Sequence, residues 1–62
     1  MIHQGDKVRT TVGDIDHNKH ANVVGIVVGH ARLSAYHARE VALTDEQGRS
    51  LGWFWEATVR PL

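Results

Sequence analysis

The stretch that decides the fold is "DEQGRSLGWFWEATVRPL", residues 45–62. Gly48 supplies the left-handed residue of a short hairpin connection, and "SLGWFWE" returns as the second strand of that hairpin. "EAT" has the length of a single 3-10 turn. "VRPL" makes a short last strand in which Pro61, lacking an N–H, belongs on an edge. The same stretch holds Trp53, Phe54 and Trp55, three of the four aromatic residues in the chain. Alternate residues of a strand face opposite sides. Trp53 and Trp55 therefore share one face and Phe54 takes the other, so at least one large ring is left on a surface that a small fold covers incompletely. Either flanking loops fold over the outer rings, or the rings form a contact surface; the second is the expectation here. Gly52 beside them fits a bulge or a close backbone approach.

Upstream, "REVALTD" (residues 39–45) is the first strand of the hairpin, with Val41 and Leu43 inward. "GDKVRTTV" (5–12) turns at Gly5-Asp6 and then alternates Val8, Thr10 and Val12 with Lys7, Arg9 and Thr11, a half-buried strand. Met1–Gln4 read as a loose lead-in, and "GDIDHNKHAN" (13–22) as a polar loop. In "VVGIVVG" (23–29), Val23, Val24, Ile26, Val27 and Val28 are apolar on both parities. Whichever side faces inward, the other still shows branched aliphatics, which is an aggregation hazard on an open sheet. A partly exposed apolar face, covered by another subunit or a partner, is expected. "GHARLSAYHARE" (29–40) reads as a long loop or a short helix opening at Ser34.

These elements predict an all-β chain forming one domain over residues 1–62: a small barrel of four to five short antiparallel strands with one 3-10 turn before the last. The order resembles an SH3-like barrel. Across nearly the whole chain it is also similar in layout to the plasmid-encoded type II dihydrofolate reductases, through "GDKVR", "GIVVGH" and "LGWFWEATVRPL". That resemblance implies tetramers around a central pore, with folate and NADPH bound by a Val-Gln-Ile-Tyr segment of the closing strand. The segment falls on Leu51-Gly52-Trp53-Phe54. Gly52 stands in place of the Gln and Phe54 in place of the Tyr, and the pore lysine of that family has no clear counterpart. The orienting amide and hydroxyl are gone, so the resemblance carries the fold and not the hydride transfer.

A 62-residue chain gains only a few kcal/mol from its own core. The absence of cysteine removes disulfides and thiolate metal sites, leaving economical packing or oligomerisation to supply stability. Seven Lys and Arg balance seven Asp and Glu. A neutral domain lacks the field that gathers phosphates, which argues against a general nucleic-acid coat and leaves room for a local patch. With no cationic leader and no long apolar run, a cytoplasmic protein without membrane association is expected. No Ser lies in a Gly-flanked elbow, and no Gly-rich loop precedes a helix. Neither an enzyme nor a cofactor is expected.

Two polar clusters remain. Asp14, Asp16, His17 and His20 have the residue types of a divalent-metal site, but a solvated loop is the simpler reading. The repeated "HAR" places His30, Arg32, His37 and Arg39 around Tyr36. In a helix they would share a face able to grip an anion through Arg forks, and in a loop they would be solvated. The expected function is a non-enzymatic module that self-associates or docks on a partner protein. Its contact surface would be Trp53, Trp55 or Phe54 and the valine-rich strand with Ile26, rimmed by His30, Arg32, Tyr36, His37 and Arg39. The alternatives are a nucleic-acid-binding barrel that stacks bases on the aromatics with Arg32, Arg39, Lys7 and Arg9 on the backbone, or a homotetramer that binds nucleotide or folate as the resembled reductases do.

Overall fold

Alternating burial defines the first strand, β1 (Lys7–Thr10), in which Val8 and Thr10 point inward and Lys7 and Arg9 outward. In the computed structural model, which describes residues 2–29, 32–33 (backbone only) and 38–62, five further strands follow. They are β2 (Val24–Val27), β3 (Arg32–Leu33), β4 (Arg39–Thr44), β5 (Ser50–Trp55) and β6 (Val59–Pro61), with a 3-10 turn at Glu56–Thr58 before the last. The fold is all-β and antiparallel, as the sequence predicts. β3 is the strand beyond the expected four or five. It occupies part of the stretch read as a loop or helix, and its pairing of Leu33 with Arg39 excludes one continuous helix carrying both "HAR" triplets.

β4 is the hub. One edge pairs with β5 along its length, from Glu40↔Trp55 to Thr44↔Ser50. The other edge is shared, with Arg39 and Glu40 facing β3 and Leu43 and Thr44 facing β2. β1 then joins β2 to β6. Val8, Val27, Val41, Leu43, Phe54 and Val59 form one core cluster, so strands at both ends of this sheet contribute to the same interior. A sheet that does this has to curl around its core, and strand twist supplies the curvature. Pro61 lies on β6, whose pairing is to β1 alone, so its missing N–H costs no ladder bond.

The local chemistry explains the turns. Asp45 accepts N–H bonds from Gln47 and Arg49 on Oδ1, both at 2.9 Å, and Gly48 takes φ +84° at the tip of the β4–β5 hairpin. β1 stops at Thr10, earlier than expected, and Val12 is left 45% exposed beyond it. Thr10 itself is fully buried. Its hydroxyl donates to the His20 carbonyl and accepts the Val23 N–H at 3.0 Å, closing both ends of the loop over residues 11–23. From Ile2 onward the lead-in is also tied down. Gly5 N–H bonds the Val27 carbonyl at 2.7 Å, His3 N–H bonds Asp6 Oδ2 at 2.9 Å, and Ile2 packs on the core. No helix among the described residues is long and apolar enough to cross a membrane.

Register settles the aromatic question. Val41 and Phe54 are cross-strand partners facing inward, and Phe54 is fully buried. Trp53 and Trp55 stand on the outer face opposite Ala42 and Glu40, each half-buried. Phe54→Ala should therefore cost roughly 3–5 kcal/mol in a urea melt. Trp53→Ala and Trp55→Ala should each cost clearly less. A tryptophan variant as damaging as Phe54→Ala would place that ring inside.

Candidate interaction surface

The outer face of the β4–β5 hairpin carries the expected surface in part. Trp53 lies beside Ala42, and Val28, whose N–H bonds the Ala42 carbonyl at 3.1 Å, continues that row onto the next strand. Val28 is 42% exposed. Val24 and Ile26 are half-buried on the outer parity of β2, opposite Arg9 and Lys7. The "VVGIVVG" strand thus buries Gly25 and Val27 and leaves branched aliphatics on its other side, as its two-sided pattern requires. Phe54 is removed from the candidate contact residues, because its ring lies wholly within the core. His30, Tyr36 and His37 lie outside the described residues, as does the side chain of Arg32.

Beside Trp55 the chain forms a groove of about 660 Å³ lined by Ile2, Ala38, Arg39, Trp55, Glu56, Ala57, Thr58 and Pro61. Most of these are apolar. Arg39 Nε donates to Glu56 Oε2 at 3.1 Å, which fixes the guanidinium at the edge of the groove. Both partners are partly solvated, so the pair orients the side chains more than it stabilises the fold. Thr58 donates its hydroxyl to the Trp55 carbonyl at 2.8 Å, which holds the 3-10 turn against the end of β5. Of the groove residues, only Arg39 and Trp55 stood out in the sequence. Ile2, Ala57 and Pro61 come together through the β1–β6 pairing and the 3-10 turn, and no local pattern announces that meeting.

The Asp/His loop is solvated from Asp16 to Asn22, with Asp14 the one buried member of the four candidates. Asp14 is buried and its oxygens are already engaged. Oδ1 accepts the Lys19 N–H at 2.7 Å, and Oδ2 accepts the His17 N–H at 3.1 Å with the His17 ring nitrogen 3.4 Å away. His20 sits in the left-handed region at φ 68°. Asp14, Asp16, His17, Lys19 and His20 border a shallow hollow of about 290 Å³ with Ser50, Leu51 and Gly52. Among the described residues no group of three His, Asp or Glu could hold a metal ion.

Asp14 instead fastens the loop to β5. Ile15 N–H bonds the Trp53 carbonyl at 2.8 Å, and a Cβ built on Gly52 would lie 3.2 Å from Asp14 Oδ2. Gly52 has φ +105° next to the β4–β5 register shift, where Leu51 is the extra residue. Glycine is required there twice over, by backbone conformation and by the carboxylate packed on it. Searches of protein-family models, curated proteins and solved structures find no match to this chain.

Two outcomes follow for the loop. Gly52→Ala should lose about 1–3 kcal/mol from the strained conformation alone. The N–H bond from Lys19, opposed by burial and reinforced by His17, holds the Asp14 carboxyl below its ordinary value of 3.8. A depressed folded-state value contributes stability above pH 3.8 and loses it as pH falls through the lower value. In acid titrations of stability, Asp14→Asn should flatten that limb relative to wild type. An unchanged limb would mean the carboxylate does not fasten the loop.

Proposed function

We propose that this chain is a non-enzymatic interaction module whose first partner is a second copy of itself, engaged through the Trp53/Trp55 face and the groove beside Trp55. The observation that carries this is the groove: an open, mostly apolar concavity next to half-buried aromatic rings on a domain whose own core is small. Trp side chains are the residues that most often anchor an interface once packed into a partner pocket. Val28 and Ile26 extend the apolar area across the neighbouring strand, and Arg39, oriented by Glu56, supplies a polar rim.

The absence of enzymatic activity draws support from the closing strand. Where the resembled reductases carry a Gln and a Tyr, this chain has Gly52 packed on the Asp14 carboxylate and Phe54 buried in the core. Neither position can present a polar group to a ligand without rebuilding the strand.

Light scattering over a range of protein concentrations tests the proposal. The wild type should gain mass with concentration, and Trp55→Ser should shift that gain to at least tenfold higher concentration with the fold intact by circular dichroism. A wild type that stays monomeric throughout, or a Trp55→Ser protein that assembles as the wild type does, would overturn it.

A further inference from the structure

Arg9 of β1 and Arg60 of β6 are direct cross-strand partners on the outer face of the curled sheet. Side chains so placed have Cβ atoms about 5 Å apart, and like charges there destabilise the pair. The Arg9 side chain has no hydrogen bond or ion pair among the described residues. Arg60 is anchored by one terminal nitrogen to the Ala57 carbonyl, with a longer bond to the Val59 carbonyl, and the other nitrogens of its guanidinium have no partner among the described residues. Lys7 lies two residues from Arg9 on the same parity, about 7 Å along the strand. The Glu46 carboxylate lies 4.0 Å from its ammonium, with both side chains largely in water. The flank of this cationic row is apolar, since Arg9 pairs with Val24 and Lys7 with Ile26. A chain of zero net charge therefore concentrates three cations on one face.

We propose that the Lys7–Arg9–Arg60 face is a nucleic-acid backbone site that takes consecutive phosphates of a single strand. Two guanidiniums side by side offer more donors than the two oxygens of one carboxylate can accept, whereas the oxygens of neighbouring phosphates can satisfy both. The third cation, in line along β1, matches a polymer whose charges repeat. Val24 and Ile26 give sugars and bases an apolar wall. With so few contacts and no long-range field, binding is weak and strongly salt-dependent. This site is separate from the Trp55 groove and meets the proposed self-association face only at Ile26.

The test is fluorescence anisotropy with a labelled, mixed-sequence single-stranded oligonucleotide of about twelve nucleotides. Binding should be measurable at low salt, and log affinity should fall against log salt with a slope near −2, about −0.7 per cation. Arg9→Gln should weaken binding and reduce the slope by about 0.7. Arg9→Glu should abolish binding while raising the thermal midpoint, because it converts a repulsive cross-strand pair into an attractive one. That rise separates lost binding from lost folding. No binding at low salt, a slope unchanged by Arg9→Gln, or a poly-glutamate peptide of equal charge competing as well as the oligonucleotide would each overturn the proposal.

Discussion

The register of β5 on β4 is the constraint on which the rest of this molecule depends. With Val41 opposite Phe54, the phenyl ring fills the core and both indoles go outside. A slip by one residue would exchange the faces of the whole strand. The register is secured at the other end of β5, where Leu51 is bulged out and Gly52 takes φ +105° against the Asp14 carboxylate. Asp14 is itself held by the N–H groups of Lys19 and His17, and Ile15 bonds the Trp53 carbonyl. A charged loop thus helps to set which aromatic side faces outward.

That arrangement also accounts for the division of the surface. One sector carries Trp53, Trp55 and the apolar groove, and another carries Lys7, Arg9 and Arg60, with the aliphatics of β2 facing outward beside them. The strands are few and short, so the side chains that fill the interior are quickly exhausted. What lies on the outer parity has to meet solvent, a loop or a partner. Glu40, on the outer parity of β4 with Trp55 as its cross-strand partner, is itself buried.

The hairpin, the 3-10 turn and the last strand were legible because their determinants are local: Asp45 and Gly48 in the turn, alternation at Val41 and Leu43, and Pro61 on an edge. The choice between Phe54 and the tryptophans was not legible, because all three are large and apolar and the pattern is symmetric. A long-range contact between Asp14 and Gly52 helps to decide it. The polar loop is exposed from Asp16 to Asn22 as read, and what the sequence did not show is how its base is anchored. Its composition is that of a solvated segment, yet the hydroxyl of Thr10 and the carboxylate of Asp14 satisfy its backbone and fix it. The opposition of Arg9 and Arg60 needed the β1–β6 register, which nothing in either strand alone reveals. Ile2 shows the same limit, since its place in the groove follows from the packing of the lead-in on the core.

Quenching of tryptophan fluorescence by acrylamide, measured across protein concentration, reports whether the two indoles lie outside and become covered. Tyr36 aside, the emission comes from Trp53 and Trp55, the two rings assigned to the outer face. Substantial quenching is expected in the folded protein at low concentration, with progressive protection as concentration rises and the face is covered. Tryptophans shielded from quencher even in the dilute folded protein would place them in the core and contradict that assignment.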